Sequence, residues 1–173
     1  MKKNIERVLD LLQLFLQKTV TTVAVDDVFI EESKESTLFG EEIQVYFSDN
    51  VSLKITTDDI PHFYGEGDLE LKYSMNDCTQ NSTFKLFCHK KITEIKVYRW
   101  RQKAICFFQP ANYLVQIEFY NDNKLILSLG FFYLDKTTDK TECLITGELS
   151  IDYKNRIVTD EFKKNMRCFT ITS

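Results

Sequence analysis

The chain contains few residues that break extended structure: 5 glycines and 2 prolines among 173 residues. It has no Gly-rich phosphate loop, no Gly-x-Ser-x-Gly elbow and no paired-histidine metal motif. Nucleotide binding through a P-loop, an α/β-hydrolase triad and the common zinc sites therefore have no sequence support. Cysteines number five (Cys78, Cys88, Cys106, Cys143 and Cys168), an odd set without Cys-x-x-Cys spacing. Such a set reads as free thiols rather than as a disulfide scaffold. The opening Met1-Lys2-Lys3 is followed by Glu6, Arg7, Asp10 and Gln13, which interrupt any signal-peptide apolar core. No apolar run approaches the length of a membrane span. The expectation is a cytoplasmic protein with no cofactor and no membrane association.

Aromatic residues are abundant: 14 Phe, 8 Tyr and 1 Trp. Disordered chains are poor in such residues, because they cannot bury enough apolar surface to offset the entropy of ordering. The length suits a single domain spanning residues 1–173. The net charge of −4 conceals a split. Residues 1–80 carry 7 basic and 16 acidic side chains, whereas residues 81–173 carry 15 and 10. An asymmetry of this kind marks either an acidic binding face or two halves of one fold that attract each other.

Ile5, Val8, Leu9, Leu12, Phe15 and Leu16 recur at helical spacing, which predicts an amphipathic helix over residues 4–17. Leu11 and Leu14 widen its apolar stripe, as contact with a sheet requires. The β-branched run from Thr19 to Val23 then favours extended chain. From there period-two alternation dominates. The runs are Ile43/Val45/Phe47, Val51/Leu53/Ile55, Leu69/Leu71/Tyr73, Phe84/Leu86/Cys88, Ile95/Val97, Ile105/Phe107, Val115/Ile117/Phe119, Leu125/Leu127/Leu129/Phe131 and Leu149/Ile151/Tyr153. Alternation of this kind predicts about nine antiparallel strands with one wet face each. The fold class is α+β: an N-terminal amphipathic helix packed on a curved antiparallel sheet or a two-sheet β-sandwich. A short terminal helix over residues 159–166 is also expected, capped by Thr159.

Residues 45–55 align without gaps on residues 117–127, each run placing a Phe before an Asp/Asn turn. Turn chemistry and pleat impose this pattern on any aromatic-rich hairpin, so convergence explains it as well as duplication does.

Two constellations carry potential chemistry. The loop from Thr57 to Asp68 gathers Asp58, Asp59, Glu66 and Asp68 around His62, with Gly65 and Gly67 to bend the backbone. Its spacing matches no metal motif, and an acidic loop facing a basic partner is the better reading. A hydrolase built on the same carboxylates is a further alternative. The second constellation, Tyr98, Arg99, Trp100 and Arg101, interleaves cations with rings. Such residues dominate protein interfaces and also stack on single-stranded nucleic acid, but the acidity of the whole chain disfavours the latter. Cys88-His89 cannot form a nucleophile–base pair, since neighbours on a strand point to opposite faces.

The segments Ile92 to Tyr98, Leu114 to Phe119 and Gly147 to Ile151 resemble a layout found in small β-rich bacterial proteins of unassigned function, some of them toxin-immunity proteins. The resemblance covers the C-terminal half and carries no defining residue with it. It implies a protein-binding inhibitor; the acidic N-terminal half would then complement a basic toxin domain. The alternative is a small-molecule binder with an aromatic-lined pocket.

Overall fold

A computed structural model describes residues 5–26, 37–58, 68–75, 84–101, 112–135, 140–143, 149–152 and 166–173. Helix α1 (Ile5–Gln13) is followed by strands β1 (Thr19–Asp26), β2 (Thr37–Gly40), β3 (Glu42–Phe47), β4 (Val51–Asp58), β5 (Asp68–Met75) and β6 (Phe84–Lys91). The second half supplies β7 (Glu94–Arg101), β8 (Asn112–Asn121), β9 (Lys124–Gly130), β10 (Phe132–Asp135), β11 (Lys140–Cys143), β12 (Leu149–Asp152) and β13 (Met166–Thr172). Eight of the nine alternating runs fall on these strands, with Phe131 just past the end of β9, while Ile105, Phe107 and Tyr153 lie outside the described residues. So do residues 159–165 of the expected terminal helix, and Met166 opens β13.

α1 ends four residues before the predicted boundary. Leu14, Phe15 and Leu16 donate backbone bonds three residues back, to Leu11, Leu12 and Gln13, so the last turn tightens. Gln17 then adopts φ of 65°, a left-handed cap. Its N–H donates to the Ile92 carbonyl at 2.9 Å, and Ile92 N–H returns a bond to Lys18 at 2.9 Å. These two bonds fix the helix exit against the link between β6 and β7. Phe15, just beyond the helix, packs its ring 4.6 Å from Phe47 and 5.9 Å from Tyr73. The helix thus seats Leu12 and Phe15 in the core, as its apolar stripe requires.

All paired strands are antiparallel. One sheet has the order β5-β4-β3-β1-β6, here sheet A, and another the order β13-β7-β8-β9-β12-β2, sheet B; β10 and β11 form a separate ribbon. Apolar residues of both sheets join one buried cluster. β2 comes from the first half of the chain but pairs with β12 of the second. Its return to β3 passes so close to β1 that a Cβ on Gly40 would lie 2.4 Å from Val25 Cγ1. Only glycine fits there.

The two sheets repeat one connectivity. In each, three strands run on in order from a first strand (β1-β3-β4-β5 and β7-β8-β9-β12), and a last strand, β6 or β13, returns to the other side of the first. The row Leu86–Val23–Val45–Leu53–Tyr73 across sheet A corresponds to Phe169–Val97–Ile117–Leu129–Ile151 across sheet B. The gapless hairpin alignment is not kept: Val45 faces Leu53, but Ile117 faces Leu129 rather than Leu125. The reason is the turns, together with a bulge between Phe119 and Tyr120. β8 and β9 are joined by Asp122-Asn123, both at positive φ (46° and 64°), which makes the tight two-residue hairpin. β3 and β4 use the three residues 48–50, closed by Asn50 at φ 60°.

The expectation of one wet face fails for β8, whose residues 114–120 are all buried. Gln116 and Glu118, with Ser128 on neighbouring β9, can be buried because they have protein hydrogen-bond partners.

Candidate functional site

Asp58 closes β4 and Asp68 opens β5, and the register sets them directly opposite each other. Asp59, His62 and Glu66 lie outside the described residues. Tyr98, Arg99, Trp100 and Arg101 belong to β7, which lies inside sheet B between β13 and β8. Tyr98 is buried and Arg99 half-buried, so this basic-aromatic constellation is divided at its first residue. The acidic pair and residues 98–101 stand in different sheets.

The surface feature that stands out is β6, an edge strand of sheet A. It pairs with β1 on one side and with no described strand on the other. Its inward residues Leu86 and Cys88 are half-buried. Burial pushes the Cys88 thiol up, with the Lys90 charge partly opposing. Phe87 points the other way and is 72% exposed in mid-strand. Lys85, His89, Lys90 and Lys91 are exposed beside it. Thr22 faces Phe87 and Val20 faces Lys90, so Cys88 and His89 together oppose Thr21 alone. This is a β-bulge, and His89 bears its left-handed conformation at φ 47°. Bulges and edge lysines are the usual guards against sheet-to-sheet association. An exposed phenylalanine is not. The equivalent position on β13, by the paired rows, is Thr170, so the fold itself requires no ring there.

The second feature is buried in sheet B. Glu118 is fully inaccessible, and its Oε2 accepts the hydroxyls of Tyr98 at 2.7 Å and Tyr120 at 2.6 Å. Beside it the Gln116 amide donates to Ser128 Oγ at 2.7 Å. Burial pushes both phenols well above the usual tyrosine range. The Glu118 charge adds next for Tyr98, and the hydrogen bond to Glu118 for Tyr120. Lys96 stands opposite Glu118 in register, yet its Nζ sits over the Tyr120 ring at 4.4 Å and 3.7 Å from Glu94. Glu118 Oε1 is buried without a partner among the described residues. Gly130 permits this packing: a Cβ there would lie 2.3 Å from Gln116 Oε1 and 2.2 Å from Val115 O. Chemically the cluster is a fixed acceptor with one oxygen still able to take a donor.

Neither feature was singled out by sequence. The signal for Phe87 was present, because Leu86-Phe87 puts two large apolar residues side by side and a strand can turn only one inward. Glu118 gave no signal, since alternation reads it as solvent-facing. No helix among the described residues is long and apolar enough to cross a membrane. No family model matches the sequence, and it has no match among curated proteins or solved structures.

Proposed function

We propose that this chain is a protein-binding module that takes an extended segment of its partner onto the β6 edge of sheet A. The observation that carries this reading is Phe87, a large exposed ring in the middle of a strand with no described strand on its outer side. Strand addition draws affinity from main-chain hydrogen bonds and specificity from side chains such as this one. An inhibitor of the immunity type, implied by the resemblance of the C-terminal half, is one protein that would work this way. The test is a photo-crosslinking amino acid placed at position 87 and, as a control, at position 170 on β13. A discrete adduct with one protein from position 87 alone supports the module. No adduct, or the same adducts from both positions, removes its basis.

A second reading, a site for a small polar ligand, is favoured by the buried Glu118 Oε1, which has no partner among the described residues. Native mass spectrometry separates it: a retained mass lost in Glu118→Gln would support a ligand, whereas the bare chain mass would not.

A further inference from the structure

Resting on the β6 reading above, we infer that the segment docked there is acidic: an extended partner strand in which Asp or Glu alternates with β-branched or aromatic residues. Four lysines elsewhere hold a carboxylate: Lys18 with Asp49, Lys54 with Glu42, Lys72 with Glu70 and Lys96 with Glu94. Lys85, Lys90 and Lys91 of β6 have no such partner among the described residues, and all three are exposed. Thr22 and Ala24 face Phe87 and Lys85 from β1, so the flanking strand brings no acid to these positions. The edge therefore offers three uncompensated cations around one exposed ring. Acidic side chains on an added strand would neutralise them, and complementary charges accelerate encounter.

The bulge limits the length of this edge. Cys88 and His89 stand against Thr21 alone, which breaks the regular ladder after residue 87. Regular pairing is thus available from Phe84 to Phe87 and on to the start of the bulge, leaving Lys90 and Lys91 to act through charge. The same arrangement disfavours a second copy as the occupant. Two β6 edges brought together would set their lysines against one another, a standard defence of edge strands. The strand that corresponds to β6 in sheet B provides an internal comparison. β13 places Cys168 and Thr170 where β6 has Lys85 and Phe87, so neither the cation nor the ring belongs to the shared framework.

The experiment is selection of a displayed random 12-residue peptide library on the immobilised full chain at low salt, followed by synthesis of the enriched peptides. The expected peptides are acidic and β-prone, and they slow amide exchange in residues 84–88. Lys85→Glu, Lys90→Glu and Lys91→Glu together should weaken them at least tenfold, mainly through slower association and less so as salt rises. Phe87→Ser should weaken them through faster dissociation. Peptides that protect residues 84–88 without an excess of Asp and Glu would overturn the acidic partner while leaving the docking edge intact. Protection elsewhere, or no enrichment, would overturn both. Equal binding of a 20-nucleotide oligo(dT) lost in the triple-lysine variant would assign the edge to nucleic acid instead. A concentration-dependent dimer abolished by Phe87→Ser would assign it to a second copy.

Discussion

Gln116 donates its side-chain amide to Ser128 Oγ at 2.7 Å, reaching diagonally across the β8–β9 pair, since Gln116 itself faces Gly130 and Ser128 faces Glu118. Sheet A repeats this diagonal. Gln44 donates to Ser52 Oγ at 3.0 Å, with Gln44 facing Lys54 and Ser52 facing Tyr46. Removing one member of a buried pair strands the other, at a cost of about 1–3 kcal/mol. Ser128→Ala and Gln116→Ala should each destabilise by that amount, with coupling of about 1 kcal/mol in a double-mutant cycle. The Gln44–Ser52 cycle should give the same sign and a smaller value, because that bond is only part-buried. Denaturant unfolding of the six variants and the unaltered chain measures both.

Glu118 organises two buried phenols. Glu118→Ala should be the costliest polar substitution in sheet B, at about 3 kcal/mol or more, because it leaves both hydroxyls without their acceptor. Glu118→Gln keeps an acceptor oxygen and should cost distinctly less. Equal losses in urea melts would show that the two hydroxyls find other partners.

The raised phenols imply a defined alkaline limit. A group whose folded pKa lies above its unfolded value contributes fully below the unfolded value, which for tyrosine is 10.0. Above that pH the unfolded chain releases protons that the folded one retains, so stability falls. Unfolding should therefore become progressively easier from about pH 10 upward. At 295 nm, at least two of the 8 tyrosines should ionise only as the fold is lost. In Tyr98→Phe plus Tyr120→Phe this delayed step should vanish.

The helix exit should be as important as any strand. Leu12→Ala should cost about 2–5 kcal/mol and Phe15→Ala about 3–5, since both side chains are wholly buried and Phe15 rests on Phe47 and Tyr73. Thermal melts of the two variants, with exposed Leu14→Ala as a near-neutral control, check this.

Thiol reactivity should follow exposure. Cys168 is exposed on β13 and Cys88 half-buried with its thiol pushed up, so a limiting dose of iodoacetamide should label Cys168 before Cys88. Peptide mapping reads the order. Full alkylation after denaturation should add five groups, one for each cysteine.

Much of the local structure was legible in the sequence. Period two marked strands such as β3, whose Ile43, Val45 and Phe47 all turn inward. Helical spacing put Leu12 and Phe15 in the core, although it ran α1 on through residues 14–17, where short backbone bonds and the left-handed Gln17 close the turn instead. Asp58 and Asp68 were legible as neighbours, because a hairpin brings its ends together. Tyr98 was read as part of a basic-aromatic binding constellation, yet its hydroxyl reaches Glu118, 20 residues away. No local pattern encodes that contact.

The sequence by itself determined which segments are extended and which side of most strands is apolar, because both depend on side chains two residues apart. Only the tertiary structure decided that β6 is an edge, that β7 is enclosed between β13 and β8, and that β8 is buried on both faces. Those outcomes depend on which strands meet. β1 joins β6 across some sixty residues and β7 joins β13 across some seventy, so their pairing is fixed by the common core rather than by neighbouring residues. Phe87 is exposed and Glu118 enclosed for that same reason: each strand presents its pattern, but its neighbours in space decide which face meets water.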